Sequence, residues 1–284
     1  MQYANDTSTP FTSNNVAVGF EALRGSATAS ANTGNSNTAV GYQTLLANTT
    51  GFSNTANGYQ ALYSNTLGFN NTASGSGAGA LFANTTGNTN TAFGSASLSS
   101  NTTGNQNTAV GGSALAANIT GSTNTGIGNG ADVSAGNLTN ATVIGYAATV
   151  NSSNKVRLGN AAVTVIEGQV AYTAASDRRL KTNIQNLNEG LDFILKLNPV
   201  SYKMKNQEQP KINWGFIAQE IEELLGTDNA ILTIGGDKDR TLGLRYTDFI
   251  APLVKAVQEQ QQKIQSLEER LVALENKLLA EAKK

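Results

Sequence analysis

The sequence predicts a mainly β repeat rod, a β-roll or β-solenoid, followed by a small α+β domain that ends in a coiled-coil helix. Two observations predict this organisation. A short Asn-Thr-Ala-x-Gly unit recurs through the first half of the chain. Charged residues are concentrated after residue 175: the first 175 residues hold seven of the 39 charged residues, and the last 109 hold the other 32. A change of composition this large is typical of a domain boundary.

The bulk composition excludes several classes of function. A net charge of −1 gives no electrostatic basis for binding nucleic acid or an anionic membrane surface, and no apolar run is long enough for membrane insertion. The chain has no cysteine and no histidine, which excludes disulfides, thiolate metal sites and a Ser-His-Asp triad. We therefore expect no cofactor and no metal. Any nucleophilic serine needs lysine, a carboxylate or a terminal amine as its base.

The repeat begins near residue 16 and continues to about residue 160. Its anchor glycines, from Gly19 to Gly159, are separated by 22, 17, 17, 19, 17, 17, 17 and 14 residues, so a 17-residue unit dominates. Within a unit, a small residue and leucine usually follow the glycine, and a second Asn/Gly turn comes next. Each unit therefore predicts two short strands separated by two turns. Eight stacked steps of roughly 4.8 Å give a rod on the order of 40 Å long.

The Asn and Thr residues of the repeat have three interpretations. In the first they are structural, capping turns and forming ladders along the stack. In the second, four Asn-x-Thr sequences are glycan acceptors, at Asn48, Asn84, Asn101 and Asn118. In the third, a flat threonine face binds a repetitive ligand such as ice or a crystalline sugar, through Thr38, Thr55, Thr72 and Thr108.

The repeat resembles the head of trimeric autotransporter-type adhesins. It is more similar to the Asn-Thr-Ala-x-Gly-Tyr-x-Ala-Leu units of phage-like tail fibres and trimeric surface fibres, and this resemblance covers about half of the chain. It implies a homotrimer wound from left-handed β-rolls. The small number and size of the apolar residues agree with this implication, because one chain alone cannot build a thick core and further burial would come from neighbouring chains.

These patterns divide the chain into five predicted segments. Residues 1–15 are an N-terminal tip or a recombinant remnant, residues 16–154 the rod, and residues 155–175 an intertwined β neck and linker. Residues 176–248 form the α+β core, and residues 249–284 a coiled coil. Its seam alternates steps of three and four, with Gln260 as the one polar residue at an internal position. The apolar residues of the seam are Ile250, Leu253, Val257, Ile264, Leu267, Leu271, Leu274 and Leu278. This seam alone favours two strands, so a trimer rests on the resemblance.

The α+β core alternates short elements. The pattern predicts a helix over residues 190–197, ended by Pro199, and a strand over residues 200–205. A strand entering a helix is predicted over residues 213–225, with Trp214 in the core. Residues 230–234 and 241–246 flank Gly-Gly-Asp-Lys-Asp, which is typical of a hairpin.

Four motifs occur in order in this region: Ser176-Asp-Arg-Arg-Leu-Lys-Thr-Asn-Ile184, Leu197-Asn-Pro-Val-Ser-Tyr202, Gly215-Phe-Ile-Ala-Gln-Glu220, and Tyr246 ahead of the terminal helix. Together they resemble the intramolecular chaperone auto-processing domain (peptidase S74 family) of phage tailspikes and tail fibres. In that family the domain assembles three chains, promotes folding of the preceding β-structure and then cuts itself off before the serine. The resemblance implies Ser176 as nucleophile, Lys181 as general base and Ala175–Ser176 as the scissile bond.

The expected function is therefore a homotrimeric fibre or adhesin on a virion tail or cell surface. Its C-terminal domain would assemble the fibre and cut its own chain once, without turnover. Lys181 serves as a base only when it is neutral, and neighbouring Arg178 and Arg179 would favour that form. The alternative is a ligand-binding rod with a retained, non-cleaving trimerisation domain. Both hypotheses leave open a host-surface glycan or cell-envelope receptor, and a conventional hydrolase is disfavoured.

Overall fold

A computed structural model describes residues 13–77, 79–170, 173–205 and 211–282. The chain forms two compact units, Met1–Val165 with Gly236–Asp239, and Ile166–Gly235 with Arg240–Lys284. Most of the predicted N-terminal tip lies outside the described residues, as do residues 171–172 of the predicted neck. The segment boundaries predicted from the sequence stay predictions.

The first unit is a β-solenoid in which each repeat contributes one short strand to a parallel sheet. Within the described residues this sheet has nine strands. In the order of the sheet they are β1 Val16–Val18, β2 Thr38–Val40, β3 Thr55–Gly58, β4 Thr72–Gly75, β5 Thr91–Phe93, β6 Thr108–Val110, β7 Thr125–Ile127, β9 Thr142–Ile144 and β11 Val156–Leu158. Two shorter strands, β8 Asp132–Val133 and β10 Thr149–Val150, pair beside it. The predicted mainly β repeat is confirmed.

The core of the solenoid is a narrow stack of small and branched side chains. The central alanine of most strands is fully buried, as at Ala39, Ala56 and Ala73. Leucines from the turn that follows complete the stack and are also fully buried, at Leu23, Leu45, Leu62, Leu81, Leu98 and Leu115. Alanine fits here because successive rungs lie only about 4.8 Å apart.

The prediction of two strands per unit is wrong for the repeats that contain these leucines. Gln43 and Leu45 both have left-handed backbones, with φ of 53° and 49°, whereas a strand needs φ near −120°. The segment still bonds from rung to rung, since the N–H of Leu45 donates to the carbonyl of Ala61 at 3.0 Å. These two left-handed residues turn the chain tightly at Gln43 and Leu45, so that it does not extend as a strand.

Buried asparagines form two ladders along the rod. In the first, Nδ2 of Asn54 donates to Oδ1 of Asn37 at 3.1 Å and to the carbonyl of Gly68 at 2.8 Å. In the second, Nδ2 of Asn65 donates to Oδ1 of Asn48 at 2.8 Å. Among the described residues, no buried side-chain nitrogen or oxygen lacks a hydrogen-bond partner. The structural interpretation of the asparagines is therefore confirmed.

The same burial excludes the glycan interpretation for the folded rod. The four candidate acceptors are fully buried in the second ladder: Asn48, Asn84, Asn101 and Asn118. An amide whose nitrogen is enclosed and donates along the ladder has no room for a sugar. The repeat produces the Asn-x-Thr sequence because each rung needs the buried asparagine.

The second unit is a small α+β domain that continues into a long helix. Its elements are α1 Leu191–Ile194, β12 Val200–Tyr202, β13 Asn213–Gly215, α2 Ala218–Leu225, β14 Leu232–Ile234, β15 Leu242–Leu244 and the 32-residue α3 Ile250–Glu281. Strands β12 and β13 form one antiparallel pair, and β14 and β15 form another. Phe193, Ile221, Ile231 and Phe249 make the core. The predicted small α+β part and terminal helix are confirmed.

Three details of this unit differ from the prediction. Strand β12 ends at Tyr202 and does not continue to residue 205. Helix α1 is shorter than residues 190–197, because the N–H groups of Lys196 and Leu197 bond to the third residue back instead of the fourth. Trp214 is 86% exposed, so its placement in the core is wrong. Strand β13 alternates its faces, and Trp214 lies opposite the exposed Ser201 on the face of the pair that points away from the core.

Helix α3 presents its predicted seam as an uncovered apolar stripe. Leu267, Leu271 and Leu274 are each 58–59% exposed, and the other apolar seam residues are between 42% and 65% exposed. Leucine at these positions is typical of a helix that packs against other helices. The pairing of this helix between chains stays a prediction.

Candidate functional site

One turn of 3₁₀ helix, Arg178–Leu180, brings Ser176 and Lys181 together. Asp177 caps the turn, since its Oδ1 accepts a hydrogen bond from the backbone N–H of Arg179 at 2.8 Å. The N–H of Lys181 closes the turn on its first residue at 3.1 Å. The turn folds the chain back, so that Nζ of Lys181 donates to Oγ of Ser176 at 2.8 Å.

The charges beside this pair are partly neutralised. Nη2 of Arg179 donates to Oδ2 of Asp177 at 2.6 Å. The hydrogen bond from the Arg179 side chain lowers the pKa of Asp177, and the carboxylate raises the pKa of Arg179. Because Asp177 compensates its charge, Arg179 is a weaker source of the repulsion that would favour a neutral Lys181. Asp177 mainly supports the turn.

Ser176 and Lys181 line a cavity of about 530 Å³ within the second unit. Ala175, the residue before the serine, lines the same cavity, so both sides of the predicted scissile bond border one space. Both Ser176 and Lys181 are exposed to solvent in the single chain. The other walls come from later in the chain, and include Glu189, Asn229, Arg245, Thr247 and Asp248.

The arrangement of Ser176 and Lys181 is suited to proton transfer. At 2.8 Å between oxygen and nitrogen, the hydroxyl proton can pass directly to a neutral amine. No histidine is needed when a lysine lies within hydrogen-bond reach of the serine. The motif located these two residues. The cavity walls beyond residue 189 were missed, because no motif or spacing links them to Ser176.

Two other sequence motifs meet in the same unit. The hydroxyl of Tyr246 accepts a hydrogen bond from the backbone N–H of Phe216 at 3.1 Å, and the two rings stack with centroids 6.2 Å apart. A Cβ at Gly215 would overlap the Tyr246 hydroxyl. Glycine at this position therefore allows the tyrosine to dock, which is a structural reason for both residue types.

The comparison with known families bears on this unit. Residues 176–228 match the family model described as chaperone of endosialidase, and the match begins at Ser176 itself. The second unit contains a chaperone-of-endosialidase domain. No curated protein and no solved structure matches the chain.

The chaperone domain and the β-solenoid together give the organisation of a tail-fibre-like protein. The match supports a role for this domain as the trimerisation chaperone of a β-helical fibre. A domain of this kind suggests a fibre of a phage tail or an extracellular surface. In the described part of the chain, no helix has the length and apolarity needed to cross a membrane. The same residues contain no group of acidic, histidine or cysteine side chains that could hold a metal.

Proposed function

We propose that the chain is a homotrimeric fibre whose chaperone domain assembles it and then cleaves its own Ala175–Ser176 bond. The observation that carries this proposal is the 2.8 Å hydrogen bond between Lys181 Nζ and Ser176 Oγ. It lies at the first residue of the chaperone match, beside a cavity that Ala175 also lines.

The proposed reaction needs only one nucleophile and one base. Oγ of Ser176 attacks the carbonyl carbon of Ala175, and neutral Lys181 takes the hydroxyl proton as the C–O bond forms. Lys181 then gives that proton to the amide nitrogen as the C–N bond breaks. This leaves an ester between Ala175 and the Ser176 side chain, together with a free amino group on Ser176. Water hydrolyses the ester, releases the Ala175 carboxylate and restores the serine hydroxyl.

Assembly of three chains would control this reaction by excluding water from Ser176 and Lys181. In the single chain Lys181 is exposed to water, and only a neutral amine can accept the serine proton. Burial of the site between three chains would disfavour the charged amine. Cleavage would then follow assembly, and unassembled chains would keep their chaperone.

The test is the intact mass of freshly purified protein. We expect wild type to yield fragments of 175 and 109 residues, and both Ser176→Ala and Lys181→Ala to remain whole. Lys196→Ala is the matched control, because Lys196 is an exposed lysine of the same unit outside the cavity, and it should cleave like wild type. Efficient cutting of Lys181→Ala would rule out the lysine as base. An uncut wild-type trimer would rule out the protease.

A second measurement tests whether cleavage passes through an ester between Ala175 and the Ser176 side chain. Hydroxylamine attacks esters readily, so adding it during cleavage should capture the Ala175 acyl group of the ester, and the fibre fragment should end in a hydroxamate instead of a carboxylate. The fragment mass distinguishes the two products. If only the carboxylate forms at high hydroxylamine concentration, cleavage does not pass through an ester.

A ligand-binding rod remains the second candidate function. It is favoured by one observation: the first residues of the parallel strands stand in register, as Thr38, Thr55 and Thr72 do. Substituting Thr38, Thr55, Thr72 and Thr108 together by alanine should abolish adsorption to crystalline polysaccharide particles if this face binds a repetitive ligand. Unchanged adsorption, or no adsorption by wild type, would reject this function.

A further inference from the structure

The outer face of the rod carries a continuous column of side chains, one from the third residue of each strand. The parallel register aligns them in a single row. We call this row the apolar column: Val18, Val40, Asn57, Ser74, Phe93, Val110, Ile127, Ile144 and Leu158. Its seven apolar members are between 36% and 58% exposed.

The column is most apolar toward its C-terminal end. Five consecutive rungs, from Phe93 to Leu158, carry only large apolar side chains. Successive rungs of a parallel sheet lie about 4.8 Å apart, so these side chains stand close enough together to form one stripe. A continuous exposed apolar stripe on a soluble protein marks an interaction surface.

Exposed aromatic rings follow the column in the three rungs of its N-terminal end. Phe20, Tyr42 and Tyr59 follow the column by two residues and stack along the rod, with centroids 5.4 and 5.2 Å apart. All three rings are at least 42% exposed. The stack presents ring edges outward, which suits packing against another protein surface better than stacking on a sugar.

We infer that the apolar column is the surface through which the rods of neighbouring copies of this chain meet, facing one another about the threefold axis. This inference rests on the proposed homotrimer. The chain has no charged residue between Arg24 and Asp132, so two identical surfaces of this stretch approach without charge repulsion. The spacing of the column is the same in every copy, and parallel rods can therefore interlock rung by rung.

The chaperone domain supplies the reason for choosing a second copy over another partner. A trimerisation chaperone brings identical chains together before the fibre is complete, which places three such columns at the high local concentration that a weak apolar contact needs. Burial of the column would also provide the stabilisation that the thin alanine and leucine core of one rod cannot.

Thiol cross-linking tests the surface directly, because the chain contains no cysteine. In the full-length Ser176→Ala background, Val110→Cys should give covalent dimers with a short bis-maleimide, at least tenfold more than Thr120→Cys. Thr120 is the matched control, since it is exposed in the same repeat but lies in the turn beyond the column. Ile127→Cys, one rung further, should behave like Val110→Cys.

The outcomes separate this inference from the trimer itself. Native mass on each variant reports whether three chains assemble. If the protein is a trimer but Val110→Cys and Ile127→Cys cross-link no better than Thr120→Cys, the apolar column is not the contact surface. The proposed trimer would still stand. A monomer would overturn the trimer. A trimer whose column cysteines stay open to a bulky thiol reagent would instead leave the column free for an external ligand, which also overturns the inference.

Discussion

The carboxylate of Glu259, in helix α3, accepts a 2.7 Å hydrogen bond from the backbone N–H of Leu191, the first residue of helix α1. The first N–H groups of a helix have no partner within it, and here a residue 68 positions away serves as the cap. A Cβ at Gly190 would overlap this carboxylate, so the glycine makes the contact possible.

This contact predicts an acid-sensitive chaperone unit. The N–H of Leu191 is the largest cause that lowers the pKa of Glu259, and Lys255 contributes. A carboxylate with a depressed folded pKa binds fewer protons than in the unfolded chain. Its stabilisation is therefore present above the unfolded pKa of about 4.3 and is lost as pH falls through the folded value.

Thermal unfolding at several pH values checks the effect of Glu259. Circular dichroism at 222 nm follows the second unit, where the described α-helices lie. Glu259→Gln should lower the melting temperature at pH 7 and should reduce its fall below about pH 4.3. Glu268→Gln, an exposed position on the same helix, should resemble wild type. Equal acid dependence of both variants would contradict the assigned cap.

The asparagine ladder predicts a large effect from a single buried amide. Asn71 donates to Asn54 Oδ1 and to the carbonyl of Gly87, so Asn71→Ala leaves buried groups without partners. The cost should be about 1–3 kcal/mol of rod stability. Thr50→Ala, at an exposed position outside the apolar column, should stay within about 0.5 kcal/mol of wild type. Denaturant unfolding followed at 218 nm compares them, and similar midpoints would show that the ladder is not stabilising.

The stacked glycines predict that one methyl group can disrupt the rod. Gly58 has φ of +116°, and a Cβ there would overlap the carbonyl oxygen of Gly75 in the next rung. Gly58→Ala should therefore cost more than the ~1–3 kcal/mol typical of a strained backbone. Gly168→Ala is the control, because its Cβ would lie 3.8 Å from the nearest atom. The measurement is the melting temperature of both variants. A wild-type melting temperature for Gly58→Ala would contradict the close approach of the rungs.

Tyr246 is predicted to support the fold without taking part in cleavage. Tyr246→Phe removes the acceptor of the Phe216 N–H and should destabilise the second unit by about 1 kcal/mol, measured by dichroism at 222 nm. Its self-cleavage, followed by intact mass, should still go to completion. Tyr146→Phe changes an exposed hydroxyl of the rod and should alter neither quantity. Loss of cleavage in a folded Tyr246→Phe trimer would give the hydroxyl a role at the site.

Much of the architecture was predictable because it is periodic or local. A 17-residue spacing specifies rungs that stack in register, and a buried asparagine in every rung satisfies its neighbours whatever the rest of the chain does. Ser176 and Lys181 meet through one capped turn, and the resemblance carried by four ordered motifs, not the six residues alone, pointed to this pair. The left-handed backbones at Gln43 and Leu45 escaped prediction, since neither residue type favours that conformation by itself.

The sequence by itself determined the repeat, the change of character at residue 176 and the serine-lysine pair, because each depends on neighbours within one rung or one turn. Only the tertiary structure decided that Trp214 lies on the uncovered face of its strand pair, that Glu259 caps α1, and that Asn229, Arg245 and Thr247 line the cavity around Ser176. These contacts join segments tens of residues apart. Which of them form depends on how the elements pack together, and no local pattern of residue types specifies that packing.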